Sequence, residues 1–152
     1  MFLASLQMSA QTMKDVLKSM PDSITPLLTK NNLLNFIDYL EAGEKAIEKN
    51  RLGGQSQMTH LTDTRTTISM TGSSTIDIKL IKNPETAIGI ITTVRDANGT
   101  TLSSIVRYYT TDWKLSKTII PDDFTAYSWK DDSEELISTH YDPLKLDNSK
   151  FE

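Results

Sequence analysis

An α+β fold, with N-terminal helices packed on one face of a mainly antiparallel β-meander sheet, is what this sequence predicts. Three observations carry that expectation. Between about Thr66 and Tyr108, apolar and polar residues alternate with a period of two: Ile76, Ile78, Leu80, then Ile88, Ile90, Val94, then Leu102, Val106, Tyr108. Turn residues separate the runs at Gly72-Ser73, Asn83-Pro84 and Asn98-Gly99, as hairpin connections require. Ahead of the strands, apolar residues recur at helical spacing instead.

The helices come first. Met13, Val16, Leu17 and Met20 form one stripe, and Pro21 disfavours helical geometry at Met20, so a short helix ends there. Ser23 to Leu28, interrupted by Pro26, reads as turn. Thr29 or Asn31 can cap a second helix, because their side-chain oxygens can accept from free backbone N–H groups of the first turn. Leu33, Phe36, Ile37, Leu40 and Ile47 supply its buried stripe, and Gly53-Gly54 ends it.

The strand registers follow from keeping one face apolar, because a one-residue slip inverts every side chain. A three-residue loop at Ala97-Asn98-Gly99, with Gly99 left-handed, pairs Val94 with Leu102, Ile90 with Val106 and Ile88 with Tyr108. Similar reasoning pairs Leu80 with Ile88, Ile78 with Ile90, Met70 with Ile76 and Ile68 with Ile78. The helices then cover the apolar face. The opposite face carries Ile81, Ile91, Ile105, Arg107 and Tyr109, a patch too apolar to leave to water. Its cover is either the chain's own tail, through Ile119, Ile120, Phe124, Trp129 or Leu136, or a partner such as a second copy of the chain. Beyond Trp113 the pattern weakens: Ile119-Ile120-Pro121 reads as a further strand and Ser133 to Thr139 as a helical turn.

The 152 residues suffice for one domain with a real core. A net charge of −4, with no basic stripe, argues against nucleic acid as a partner. No stretch approaches the length of a transmembrane helix. With no cysteine there is no disulfide, thiolate nucleophile or Cys-ligated zinc. His60 and His140 lie far apart, and Asp122-Asp123 and Asp131-Asp132 lack the alternating ligands of a calcium loop. No metal or organic cofactor is therefore expected. No serine sits in a nucleophile elbow, Arg51-Leu52-Gly53-Gly54 lacks the lysine of a phosphate loop, and Glu134-Glu135 diverge along either a helix or a strand. The aromatic run ending at Trp113 offers a glycan contact as an alternative to packing.

Several segments also carry a resemblance. Gln11 to Val16, Met20 to Ile24 with Leu27 to Asn32, Arg51 to Gly54, Met58 to Asp63 and Tyr109 to Trp113 resemble a family of small exported proteins from Bacteroides-type gut anaerobes, known as a domain of unknown function. The resemblance covers residues 11–125. It implies export to the periplasm or cell surface, and it supplies no catalytic residues. Under it, residues 1–10 read as a signal-peptide remnant with Ala10 at the cleavage position. Residues 11–125 are the helix-plus-meander domain, and 126–152 a weakly patterned segment that is a candidate for truncation. The order of elements is similar to the β-lactamase-inhibitor-protein-like fold. Asp22-Ser23-Ile24 resembles an O-glycan acceptor of such organisms, with Ser23 the modified residue.

The functional expectation is an exported binding or assembly module acting through the outer face of its sheet on a protein, glycan or envelope component. The second reading is a hydrolase of unrecognised type, with carboxylates in a cleft between the sheet and the C-terminal segment. The lack of any spaced catalytic constellation favours binding.

Overall fold

A computed structural model describes residues 11–120, 125–130 and 133–140. It holds two helices, α1 (Met13–Ser19) and α2 (Lys30–Glu41), followed by seven strands: β1 (Ala46–Lys49), β2 (Gln55–Leu61), β3 (Arg65–Ser69), β4 (Ser74–Ile81), β5 (Ala87–Arg95), β6 (Thr101–Tyr109) and β7 (Leu115–Ile119). These seven form one antiparallel sheet in sequence order. A separate hairpin follows, β8 (Thr125–Trp129) and β9 (Leu136–His140). The α+β class stands, and the meander extends to both sides of the stretch from Thr66 to Tyr108. The signal-remnant residues 1–10, Asp122-Asp123, Phe124, Asp131-Asp132 and the chain after His140 lie outside the described residues.

Both helices begin at threonine capping boxes. Thr29 Oγ1 accepts from the Asn32 N–H at 3.1 Å, and Asn32 Oδ1 accepts from the Thr29 N–H at 2.9 Å. Thr12 and Asp15 do the same for α1. Two otherwise orphaned donors are satisfied at each start. Thr29→Ala is expected to destabilise the protein by about 1 kcal/mol, read as a lowered midpoint in thermal melts.

The second helix stops earlier than its stripe suggests. Gly43 sits at φ 74°, Glu44 N–H donates to Tyr39 O and Gly43 N–H to Leu40 O, which satisfies the last carbonyls. Ile47 is consequently a β1 residue and partly exposed, not part of the helix stripe. The predicted helical turn from Ser133 to Thr139 is corrected as well: Leu136–His140 is a strand, paired along its length with β8.

The helix-facing core gathers Met13, Val16, Leu17 and Met20 from the first stripe, Leu33, Phe36 and Ile37 from the second, and Ile68, Ile76, Ile78, Leu80, Ile88 and Ile90 from the sheet. Each such side chain contributes roughly 1.5–3 kcal/mol on leaving water. The pairs Leu80–Ile88 and Ile78–Ile90 form as expected. Ile68 faces Ile76, two residues from its predicted partner Ile78. Thr71 explains the loop's shift by one residue, from 72–74 to 71–73: its hydroxyl accepts from the Ser73 and Ser74 N–H groups. A shift of two keeps Ile68 on the same face.

The β5–β6 register is the main correction. The turn is as predicted, with Gly99 at φ 83° and Asp96 Oδ1 accepting from the Asn98 and Thr100 N–H groups. Beyond it, Arg95 faces Thr101 but Val94 faces Ser103, so Leu102 is an extra residue in a bulge. Ile90 therefore faces Arg107, Ile91 faces Val106 and Ile88 faces Tyr109. Leu102, predicted to be core, is 58% exposed. Every later β6 residue changes face. Ile105, Arg107 and Tyr109 go to the helix side, while Val106 and Tyr108 go to the outer side.

Candidate functional site: a cleft beside a self-covered sheet face

The outer face reads in rows Asp77–Ile91–Val106–Ile119 and Lys79–Gly89–Tyr108–Lys117, with Ile81 beside Ala87 at its end. Of the five residues predicted to form its patch, only Ile81 and Ile91 belong to it. The β8–β9 hairpin lies across this face. Trp129, 2% exposed, forms a second core with Ile81, Ile91 and Val106, flanked by Ala87, Tyr108, Ile119, Tyr127 and Leu136. The Tyr127 N–H donates to Ser104 Oγ at 2.9 Å, and the Trp129 indole N–H points at the Asp77 carbonyl at 3.5 Å.

Gly89 makes this seating possible. A Cβ there would lie 2.7 Å from the Trp129 ring carbons, closer than such contacts allow. Trp129 also meets Tyr108 edge-on, with centroids 6.1 Å apart at 76°. The chain's own tail, through Trp129 and Leu136, is thus the cover of the patch, while Ile119 extends the sheet face itself as part of β7, and the reason for expecting a second copy on this face is removed. Ile120 takes no part and is exposed.

On the β3–β4 side, the same face is polar. Arg65 grips Asp77 through two hydrogen bonds, Nε to Oδ1 at 3.0 Å and Nη2 to Oδ2 at 2.7 Å. Lys79 is 1% exposed, and its ammonium donates to Thr64 Oγ1 at 3.2 Å.

The hairpin leaves one end of the face open. A cleft of about 520 Å³ lies there, floored by Ile81, Ala87 and Tyr108. The β4–β5 turn walls it with Asn83, Pro84 and Glu85, β7 with Ser116 and Lys117, and the hairpin with Glu134. Glu134 ties the hairpin to the turn: Oε1 accepts from the Lys82 N–H at 2.5 Å and Oε2 from the Asn83 N–H at 3.3 Å. Burial pushes the Tyr108 hydroxyl to a higher pKa. The cleft therefore offers an apolar floor, one ammonium and two carboxylates, one of which is already engaged by backbone.

The remaining predicted residues are elsewhere. Tyr109 and Trp113 pack together on the helix side, with ring centroids 5.6 Å apart. The Trp113 indole N–H donates to Ser19 Oγ at 3.0 Å, which anchors β6–β7 to the end of α1. These contacts hold Trp113 at φ 65°, a conformation bulky residues rarely adopt. Ser23 is exposed in the turn between the helices, and His60 is exposed on β2. Sequence reasoning missed the cleft residues Asn83, Glu85, Ala87, Ser116, Lys117 and Glu134. The readable signal was Ala87 and Gly89, two small residues on the outer row of an otherwise bulky strand.

Comparison with known proteins places the chain in a family. Residues 5–148 match the family described as "Protein of unknown function (DUF3256)". The chain belongs to this family. The match extends beyond the segment 11–125 that carries the sequence resemblance, at both ends. No curated protein matches the chain. Among solved structures, it is similar to "a domain of an uncharacterized protein from Porphyromonas gingivalis W83", with a TM-score of 0.56 and 19% identity over 69% of this chain. The match spans about half of that protein's chain, 53%. The likeness shows a shared fold. No helix among the described residues is long and apolar enough to cross a membrane.

Proposed function

We propose that this protein is an exported binding module, without catalytic activity, whose ligand site is the cleft at the open end of the outer sheet face. One observation carries this reading. The hairpin seals Ile91 and Val106 but leaves Ile81, Ala87 and Tyr108 as the floor of a walled cleft. Its volume falls within the roughly 300–1,000 Å³ of small-ligand sites. Export is supported by the resemblance to exported proteins and by the small-residue pattern at Met1–Ala10.

Glu85 and Glu134 do line a cleft between the sheet and the C-terminal segment, as the hydrolase reading requires. Both oxygens of Glu134 accept from backbone N–H groups, which occupies it as a clamp instead of freeing it as a base. Binding is the better reading for that reason.

The test uses 1-anilinonaphthalene-8-sulfonate as a probe of the apolar floor. Wild-type protein should give a saturable fluorescence rise. Ala87→Phe, which fills the cleft from its floor, should abolish that rise with an unchanged thermal midpoint. A folded Ala87→Phe protein that binds the dye as wild type does sinks the assignment.

A further inference from the structure

We infer that the cleft takes a free aliphatic monocarboxylate, with its carboxylate on the Lys82 and Asn83 N–H groups and its chain on Ile81, Ala87 and Tyr108. This rests on the reading of the cleft as a ligand site and names the ligand class. The seat is visible because a carboxylate already fills it. Two consecutive backbone N–H groups converge on the two oxygens of Glu134, which reaches them from 52 and 51 residues away in the chain. Successive N–H groups at a turn form an anion-binding concavity, and capture of a carboxylate by such a nest is a recurring recognition mode.

The surroundings narrow the ligand. Lys117 brings an ammonium to the same cleft, so an anion is favoured there. Glu85 lines it too and repels a second negative charge, which selects a monoanion. The floor is side-chain hydrocarbon and one tyrosine ring, which suits an alkyl chain, while the polar side chains stand on the walls. Glu134 is the internal competitor. When it swings out into water and the ligand's carboxylate enters, the charge in the cleft is unchanged, so the exchange needs no new counterion.

Self-occupation lowers the apparent affinity by the fraction of time the seat is open. Calorimetric titration of the full chain with sodium decanoate and with 1-decanol tests this, with thermal melts of every variant alongside. Glu134→Ala should bind decanoate about fivefold or more tightly than wild type, while decanol binding stays the same. Glu134→Gln, which keeps one accepting oxygen and loses the charge, should fall between them; it serves as the test if Glu134→Ala does not fold. A folded Glu134 variant with unchanged or weaker decanoate binding overturns the inference, as does an equal gain for decanol. If that happens while Ala87→Phe still abolishes dye binding, the ligand class falls and the cleft reading stands. If Ala87→Phe leaves the dye signal intact, both fall.

Discussion

Trp129→Ala is expected to lower the unfolding free energy by about 3–5 kcal/mol, the usual range for truncating a buried large aromatic. Trp129 is 2% exposed and is the hairpin's one buried large side chain among the described residues. Without it, Ile91 and Val106 lose the group that keeps them dry. Gly89 gives the test its specificity. Adding a Cβ at position 89 places it 2.7 Å from the Trp129 ring, so Gly89→Ala should be destabilising in the wild-type background. In the Trp129→Ala background that clash is gone and only the Ile81 Cδ1 contact at 3.2 Å remains, so the same substitution should cost far less, partly offset because glycine weakens a strand interior. Urea unfolding of the two single mutants and the double mutant closes the cycle. Equal effects of Gly89→Ala in both backgrounds would mean that the indole does not rest on this glycine.

The helices and the middle of the sheet were legible because local rules decide them. The stripe at Met13, Val16, Leu17 and Met20 is buried as its spacing demands. The β4–β5 pairing is correct because both strands carry three aliphatic residues that must share a face. Alternation failed at β1 and β2, where Gln55, Gln57 and Thr59 dilute the signal and only Ala46, Ser56 and Met58 turn inward to full burial. It failed again at β6, for a different reason. The turn chemistry at Asp96–Gly99 was read correctly, but the bulge three residues later, at Leu102, has no marker in the residues that form it. Period-two reasoning carried through Leu102 then placed every following side chain on the wrong face.

The candidate site inherits that error. The apolar outer face was anticipated, and so was its cover by the tail through Trp129 and Leu136. Arg107 and Tyr109 were placed on it only because the bulge was not foreseen. The cleft itself joins a turn, four sheet strands and a residue of the hairpin more than fifty positions away in the chain. No local spacing encodes that meeting. It exists because the hairpin, seated by Trp129 over Gly89, brings Glu134 within reach of the β4–β5 turn.

A comparison of Ile91→Asp with Ile105→Asp decides the β5–β6 register in solution. With a three-residue loop and no bulge, both isoleucines would share the outer face, and the two substitutions would behave alike. In the structure, Ile91 is 2% exposed between the sheet and the hairpin, whereas Ile105 is half-buried on the opposite side in the row Ile76–Thr92–Ile105. Asp77, held by Arg65, lies directly across the strand pair from position 91, so a new aspartate there meets a carboxylate already engaged by its own partner. Burying it should cost several kcal/mol, a large share of the roughly 5–15 kcal/mol that holds a domain of this kind folded. Ile91→Asp should therefore be largely unfolded or lose the hairpin at ambient temperature. Ile105→Asp can turn its carboxylate to water and should lose about 1–2 kcal/mol. Leu102→Lys, at the exposed bulge, should change stability by no more than about 0.5 kcal/mol. Urea midpoints for the three variants read out the order. An Ile105→Asp protein as damaged as Ile91→Asp, or a Leu102→Lys protein that unfolds, would restore the unbulged register and return Ile105 and Tyr109 to the outer face.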